Sequence, residues 1–420
     1  MKYAVILGDG MADYPVPELN GRTPLEVAEH PHMDALARNG EFGLVQTIPA
    51  GMKPGSDTAN LAVFGYDPKV YYSGRSPLEA CSMGIELSQA DVTYRCNFVT
   101  LSDTVHPEDA VMTDYSAGEI SSEEAAQLVA CLNERLGTEA VHLYPGFSYR
   151  HCLVLRNAET GADLTPPHDI SGQPVKAFFP KGTHAELLNG WMRTACEILP
   201  DHPVNRERVR QGKNPANAVW FWGEGRKPAL TPFTEKTGLR GAVVSAVDLV
   251  QGIGVAAGMQ VLKVPGATGT YETNFDGKAQ AAIQAFRDGT DYVYVHLEAP
   301  DECGHHHQVK EKVWSIEQID RRILAPIQAY LEESGEAYAL LLLPDHPTPL
   351  VKMTHVSDPV PYVLYHKGNH AGRSGVRYTE GYAGVAGLLL PDGSRLIDRM
   401  LHMCCGTGDA AYAAAKVQRH

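Results

Sequence analysis

The sequence lacks a long apolar run. The N-terminal apolar segment, residues 3–7, is too short for a membrane span or a signal-peptide core, and no small-residue cleavage site follows it. No other uninterrupted apolar stretch approaches the roughly 18 residues that a spanning helix needs. We therefore expect a cytoplasmic protein that has no membrane partner.

The sequence also lacks an excess of basic residues. Its 36 Lys and Arg stand against 50 Asp and Glu, which gives a formal net charge of −14. A nucleic-acid-binding protein normally presents a basic face, so this balance argues against a nucleic-acid partner. It favours an enzyme that holds a small anionic substrate through local basic groups.

Two kinds of short motif are absent. The eight cysteines are scattered through the chain and include no C-x-x-C pair, which predicts reduced thiols rather than a disulfide framework. A Walker-type G-x-x-x-x-G-K-[ST] loop is also missing. The sequence thus contains no recognisable cradle for nucleotide phosphates.

Three apolar runs are each followed by an aspartate. Residues 3–7 precede Asp9, residues 291–297 precede Asp301, and residues 338–343 precede Asp345. Open α/β sheets bind their ligands beyond the carboxyl ends of their strands. Helical patterns at residues 277–286 and 309–331 alternate with these strands. This alternation predicts an α/β fold with a mostly parallel sheet and helices on both faces.

The middle of the chain has a different organisation. It shows strand-like patterns at residues 92–100 and 151–155 and a helical pattern at residues 122–136, but none of the candidate metal-binding motifs. We expect an inserted α+β domain over residues 77–227. Residues 1–76 and 228–420 would form the discontinuous catalytic domain. The Pro- and Gly-containing stretches 214–217 and 223–228 are typical of linkers or hinges.

Seven residues make a set suited to phosphoryl transfer at two metal ions: Asp9, Ser56, Asp301, His305, Asp345, His346 and His355. Carboxylates and imidazoles bind divalent ions, and two ions about 3.5–4 Å apart stabilise the attacking and leaving oxygens of such a reaction. A serine hydroxyl supplies a nucleophile. A single histidine is more commonly a hydrogen-bonded core residue than a ligand, but the combination is much more specific than its parts.

Two members of this set have local alternatives. Ser56 precedes a predicted helix, where serine most often serves as an N-cap, although the positive end of a helix also favours an alkoxide and a phosphate. Asp301 and His305 are four residues apart and share one face if the segment is helical. His306 and His307 diverge from that face, so only His305 is assigned to the metal set.

Several segments carry a resemblance to a known family: GDGMADYPVPELNGRTPLE, PGSDTANLAVFGYDP, SGRSPLEA, YPGFSYRH, VPGATGTYETN, HLEAPDECGH and PDHPTPL. With these segments the chain resembles the alkaline-phosphatase-like metalloenzymes. Within them it is similar to the archaeal-type phosphoglycerate mutases that use no bisphosphoglycerate cofactor. The resemblance extends over nearly the whole chain.

The resemblance implies a ligand set and a mechanism. One ion would be held by Asp9, Ser56, Asp345 and His346, and the other by Asp301, His305 and His355. Manganese or magnesium is expected, and zinc also fits these ligand types. Ser56 would take the phosphoryl group of 3-phosphoglycerate and return it to the 2-hydroxyl of the reoriented glycerate. A closed cleft between the domains would exclude water from the phosphoserine.

The substrate's phosphate and carboxylate require cationic partners. The candidates, for each of which a surface or structural role is about as common, are Arg75, Arg95, Arg150, His151, His168 and Asp169. The histidine and aspartate of the last pair could supply acid–base chemistry to the glycerate hydroxyls.

Three alternatives to the mutase would use some or all of the same residues. A bacterial branch of the resembled family has also been proposed to contain homoserine kinases, which would keep the metals and Ser56 but take the phosphoryl group from a nucleotide. A plain phosphatase is the third reading. A metal-stabilised binding protein is the non-enzymatic one, and it predicts that Ser56→Ala leaves function intact.

Overall fold

The computed structural model of the chain describes residues 1–103, 106–369 and 371–403. Within them the strands are β1 (Lys2–Gly8), β2 (Glu41–Val45), β3 (Val92–Leu101), β4 (Met112–Asp114), β5 (Val141–Tyr144), β6 (Arg150–Leu155), β7 (Ala162–Asp163), β8 (Lys181–Gly182), β9 (Ala218–Arg226), β10 (Gly241–Val244), β11 (Gln260–Val261), β12 (Tyr292–Leu297), β13 (Tyr338–Leu343), β14 (Val360–His366) and β15 (Leu389–Leu390).

The α-helices of the same residues are α1 (Pro24–Val27), α2 (Pro31–Asn39), α3 (Ser56–Val63), α4 (Pro68–Tyr71), α5 (Ser76–Ser82), α6 (Ser122–Leu136), α7 (Ala185–Ile198), α8 (Pro203–Arg210), α9 (Phe233–Thr237), α10 (Asp248–Ala256), α11 (Phe275–Arg287), α12 (Ala299–His305), α13 (Val309–Gln318), α14 (Ala325–Glu333), α15 (Glu380–Val385) and α16 (Leu396–Met403). A π-helical turn, Ile319–Leu324, joins α13 to α14. No described helix is long and apolar enough to cross a membrane.

The chain divides into two compact units. Unit 1 consists of Met1–Tyr72 and the chain from Leu230 onward, and unit 2 is the contiguous stretch Ser73–Ala229. The sequence had suggested boundaries at 76/77 and 227/228. In the structure the first boundary precedes α5 because this helix packs on β3 and β9 of unit 2.

Unit 1 is built on one sheet. Among the described residues its strand order is β11-β10-β12-β1-β13-β14-β2-β15. The first five of these strands are mutually parallel, and β14 is antiparallel to both of its neighbours. The central strands β12, β1 and β13 are buried along their whole length, as their continuous apolar sequences require. The predicted α/β class with a mostly parallel sheet is confirmed.

Unit 2 contains an antiparallel sheet in which β3 pairs with β4, β6 and β9. The prediction of a linker over residues 223–228 was wrong for its first part, because Gly223–Arg226 continue β9 against β3. Gly223 has φ +63° near a register shift, and a Cβ on Gly225 would lie 2.5 Å from the Ser73 carbonyl oxygen. These glycines therefore serve a bulge and a close backbone contact rather than a turn.

The described cysteines are all free, in agreement with the sequence; Cys404 and Cys405 lie outside the described residues.

Glu380 begins α15 and is partly buried within unit 1. Its carboxylate accepts hydrogen bonds from the Asp13 amide, at 3.0 Å, and from the Thr23 hydroxyl, at 2.8 Å. Burial raises the pKa of Glu380 to about 7, and these hydrogen bonds only partly offset it. The folded protein thus holds a proton here that the unfolded chain releases near pH 4.5.

This raised pKa predicts a loss of stability as the pH rises from about 4.5 to about 7, because the unfolded state binds fewer protons over that window. We expect Glu380→Gln to remove that part of the pH dependence and to gain roughly 1–3 kcal/mol over wild type at pH 8. Urea titrations of both proteins at pH 5 and pH 8 measure the difference. The same pH slope in both proteins would contradict the prediction.

Candidate two-metal active site

The site lies at the carboxyl ends of three adjacent strands of unit 1. Asp9 follows β1 directly, Asp301 lies in α12 just after β12, and Asp345 follows β13 after one proline. Because β12, β1 and β13 are parallel neighbours, their carboxyl ends meet at one edge of the sheet. The three predicted aspartates are therefore brought together, although they span more than 330 residues of sequence.

The predicted ligands on the α12 side lie within contact distance of one another. His305 Nε2 is 3.3 Å from Asp301 Oδ2, His355 Nε2 is 3.4 Å from Asp301 Oδ1, and the two Nε2 atoms are 2.9 Å apart. Burial lowers the pKa of His305, but its hydrogen bond to the Asp301 carboxylate raises that pKa to about 9. A carboxylate between two imidazoles is a donor set suited to a divalent ion.

A second group lies around His346. Its Nε2 is 3.4 Å from Asp345 Oδ2, 3.6 Å from Asp9 Oδ1 and 3.2 Å from Ser56 Oγ. The side chains of Asp9, Asp345 and His346 are essentially excluded from solvent. Ser56 is the first residue of α3, where the unpaired amides of the helix terminus favour negative charge. The N-cap interpretation of Ser56 does not hold, because Gly55 occupies that position and no side chain caps the helix.

The donor atoms fit divalent cations. Three sets of side chains each place one donor atom per residue within 4.8 Å of one another: Asp301, His346 and His355; Asp9, Asp345 and His346; and Asp9, Glu298 and Asp301. Asp9 Oδ1 is buried and has no hydrogen-bond partner among the described residues. Burial, together with the nearby charges of Asp345 and Asp301, raises the pKa of Asp9 well above its usual value. A cation bound between carboxylates gathered in this way would offset their mutual repulsion.

Neighbouring side chains form hydrogen bonds with the predicted ligands. Asn60 donates to Asp345 Oδ2 at 2.9 Å and is held by the Tyr294 hydroxyl at 2.7 Å. Thr348 donates to Asp301 and lies 3.2 Å from His346 Nδ1. Glu298 is a further acidic candidate that sequence reasoning did not assign, although its position directly after β12 was the available signal.

The predicted substrate residues lie in unit 2, and four of them are close together. Glu79 accepts from Arg75 Nε at 2.8 Å and from Arg95 Nε at 2.9 Å. The guanidinium of Arg95 lies 4.1 Å from the ring centre of Trp222. Burial lowers the pKa of Arg95 to about 10, against the opposing charge of Glu79. Glu79 thus neutralises one of the two guanidinium charges, and Arg75, Arg95 and Glu79 together keep a net positive charge.

We call the four neighbouring residues Arg75, Arg95, Arg150 and His168 the arginine cluster. Its other two members are Arg150 and His168. Arg150 lies over the ring of Tyr149 at 5.3 Å, and its charge contributes to the lowered pKa of Glu79. His168 packs edge-on against Trp222 with 5.2 Å between ring centres. Burial lowers the pKa of His168, and the nearby charges of Arg95 and Arg75 lower it further, so its imidazole is neutral near pH 7.

The structure does not bring His151 to this cluster. It follows Arg150 on β6, so its side chain points to the opposite face, where it packs on Phe98 and accepts from the Gly146 amide. Burial lowers the pKa of His151 to about 3. Asp169 is exposed, with Oδ1 3.6 Å from His168 Nε2.

A parallel α/β sheet with carboxylates and imidazoles at the carboxyl ends of its central strands, beside a serine at a helix N-terminus, is typical of one class, the metal-dependent phosphoryl-transfer enzymes. A sequence profile described as "2,3-bisphosphoglycerate-independent phosphoglycerate mutase" matches residues 37–205. The chain belongs to the family of 2,3-bisphosphoglycerate-independent phosphoglycerate mutases, as its relatives demonstrate.

Two curated relatives carry that name. One from Geobacter sulfurreducens, described as a probable 2,3-bisphosphoglycerate-independent phosphoglycerate mutase, is 51% identical over 96% of this chain and 100% of its own. One from Methanosarcina acetivorans is 49% identical over 90% of this chain and 94% of its own.

Solved structures agree on the fold. A protein from Pyrococcus horikoshii superposes with a TM-score of 0.79 at 32% identity, covering 97% of this chain and 98% of that one. The cofactor-independent phosphoglycerate mutase of Thermoplasma acidophilum gives 0.65 at 27% identity, covering 96% and 100%.

Proposed function

We propose that this protein interconverts 3-phosphoglycerate and 2-phosphoglycerate through a phosphoserine on Ser56, without bisphosphoglycerate. The observation that carries the proposal is the position of Ser56 Oγ, 3.2 Å from His346 Nε2, beside a group of carboxylates and imidazoles suited to metal binding. The names of the relatives support the reaction.

The chain's own residues would perform distinct tasks. Asp9, Asp345 and His346 would hold one ion beside Ser56, and Asp301, His305 and His355 a second. Bound manganese or magnesium would polarise the phosphoryl oxygens and favour the ionised Ser56 hydroxyl. Ser56 Oγ, having lost its proton, then forms a bond to phosphorus while the bond to the 3-oxygen of the substrate breaks, and that oxygen takes up a proton to give glycerate. In the second half-reaction the 2-oxygen of glycerate takes the phosphoryl group back.

Unit 2 would bind the glycerate part of the substrate. Its arginine cluster, Arg75, Arg95, Arg150 and His168, combines fixed positive charge with a neutral imidazole, which suits a carboxylate and a hydroxyl to be deprotonated. Asp169 would orient that imidazole. The buried His151 would support β6 rather than contact the substrate.

The homoserine kinase alternative receives no support from the relatives, which are named as mutases. A plain phosphatase would need water at the phosphoserine, and the mutase requires the phosphoryl group to return to glycerate.

The test is a mutase assay on the metal-reconstituted protein. It supplies 3-phosphoglycerate and Mn²⁺, omits bisphosphoglycerate and couples the product to enolase. We expect turnover with little free phosphate released. Phosphate release without 2-phosphoglycerate would identify a phosphatase, and turnover only with ATP and homoserine would identify the kinase. Either result would overturn the proposal.

The arginine cluster gives a prediction for substrate affinity. Arg95→Lys removes the planar guanidinium that contacts Glu79 and stacks on Trp222, and lysine cannot reproduce both contacts. We expect KM for 3-phosphoglycerate to rise about tenfold, with a smaller change in kcat. Arg156→Lys is the control, because Arg156 pairs with Asp91 elsewhere in unit 2. Equal KM values for the two variants would remove Arg95 from the proposed substrate site.

A further inference from the structure

His296 links the metal site to a buried serine. It is the penultimate residue of β12, and its side chain is excluded from solvent. His296 Nε2 is 3.0 Å from Asp9 Oδ2, and Nδ1 is 3.3 Å from Ser245 Oγ. Ser245 follows β10, the strand that pairs with β12 on the side away from β1. The hydrogen-bonded series Ser245, His296 and Asp9 therefore runs across the carboxyl ends of three neighbouring strands, β10, β12 and β1.

The donors and acceptors of these three side chains allow only one direction for their hydrogen bonds. A carboxylate that ligates a cation is ionised and only accepts, so with a cation at Asp9 the Nε2 atom of His296 carries the proton, and Nδ1 of the neutral ring accepts. Ser245 Oγ already accepts from the Val247 amide at 3.0 Å, so its single hydrogen is available for His296 Nδ1. The Ser245 hydroxyl thus favours the His296 tautomer that carries its proton on Nε2. That Nε2–H group in turn donates to Asp9 Oδ2.

The two oxygens of Asp9 differ as a result. Oδ2 is held by His296, whereas Oδ1 is buried without a hydrogen-bond partner among the described residues. Leaving a carboxylate oxygen buried and unpaired costs free energy unless a cation binds it. We propose that His296 is a positioning residue that makes Asp9 a one-oxygen ligand, keeping Oδ1 directed at a divalent cation. This inference rests on the metal site of the proposed function.

The main chain holds His296 in place as well. Its carbonyl oxygen accepts from the fully buried Lys278 ammonium at 3.2 Å. The parallel register pairs His296 with Leu7 and Leu297 with Gly8, directly before Asp9. The imidazole and the carboxylate are therefore fixed on neighbouring strands and cannot drift apart independently.

The experiment measures Mn²⁺ binding rather than turnover. Free Mn²⁺ is titrated into the metal-free full-length protein and its unbound signal is followed by electron paramagnetic resonance. We expect His296→Leu, which fills the space but cannot donate, to weaken one Mn²⁺ site about 10- to 100-fold, as for lost outer-shell partners elsewhere. His296→Gln, whose amide can donate at a similar position, is expected to retain affinity within about threefold. Ser245→Ala should fall between them.

Controls separate this inference from a general loss of structure and from the metal site itself. His30→Leu removes another buried imidazole, one paired with Asp34 and outside the three ligand sets, and should leave Mn²⁺ affinity unchanged. Wild-type Mn²⁺ affinity in a folded His296→Leu protein, or equal losses in the Leu and Gln variants, would overturn the inference. If Asp9→Asn also binds Mn²⁺ like wild type, the assignment of the metal site fails instead.

Discussion

Ser56→Ala is expected to lower mutase turnover by about 10⁴-fold or more while the protein stays folded and still binds Mn²⁺. The hydroxyl is the only group that the proposed mechanism places to accept the phosphoryl group, and loss of a nucleophile in a concerted site removes most of the catalysis at once. The coupled enolase assay measures turnover. An acid-stable phosphate on wild type, absent from the variant after incubation with 3-phosphoglycerate, would locate the intermediate.

Ser121→Ala is the matched control for this substitution. Ser121 caps α6 and forms a reciprocal pair with Glu124, so its loss should cost about 1 kcal/mol of stability without changing turnover. Comparable losses of activity in both variants would indicate that Ser56 acts through helix stability. Full mutase activity of Ser56→Ala would remove Ser56 as the nucleophile. No turnover by either wild type or Ser56→Ala, with Mn²⁺ still bound, would favour the metal-stabilised binding protein over an enzyme.

Lys312→Met is expected to lower the free energy of unfolding by about 3–5 kcal/mol. Lys312 and Asp13 form an ion pair whose side chains have no exposed surface, with Nζ 2.6 Å from Asp13 Oδ2. Nζ also donates to the Thr348 carbonyl oxygen at 2.8 Å. The substitution leaves the Asp13 charge buried and unpaired. Urea unfolding monitored by far-UV circular dichroism measures the effect.

Two further variants test that explanation. Lys310 lies in the same helix as Lys312, but its side chain is exposed. Lys310→Met should therefore change the free energy of unfolding by less than about 0.5 kcal/mol. Adding Asp13→Asn to Lys312→Met removes the stranded charge and keeps an acceptor for the Leu350 amide, and should restore part of the loss. A double variant no more stable than Lys312→Met would assign the loss to packing of the lysine stem instead.

Much of the fold could be predicted from the sequence because the central strands of unit 1 are continuous apolar runs. The structure reproduces residues 338–343 as β13 and places the predicted helix of residues 122–136 at α6. Residues 309–331 were read as one helix, and the structure divides them with a π-helical turn around the buried Asp320, which accepts from the Met33 amide. That contact joins distant segments, so no local pattern encodes it.

The candidate site shows the same limit. Aspartates after apolar runs indicate where ligands converge, but the order β12-β1-β13 that makes them neighbours is a property of tertiary structure. The positions of Glu298 and His296 near Asp9 depend on the register between β1 and β12, which the segment HLEAPDECGH that contains both residues does not encode. The sequence did contain a signal against His151 as a substrate residue. Consecutive residues of a strand face opposite sides of the sheet, and Arg150 had already been assigned to substrate binding.

The sheet order also determines when this protein is able to fold during synthesis. β1 ends at Gly8, and its neighbour β13 begins at Tyr338, so about 330 residues are translated between the two strands. At ~5–20 residues per second, the first strand leaves the ribosome roughly 15–70 s before β13 exists. Unit 2 is contiguous and is complete within that interval. The apolar N-terminus thus stays without its sheet neighbours for most of synthesis, and its hydrophobic side chains remain available for non-native contacts while the nascent chain grows.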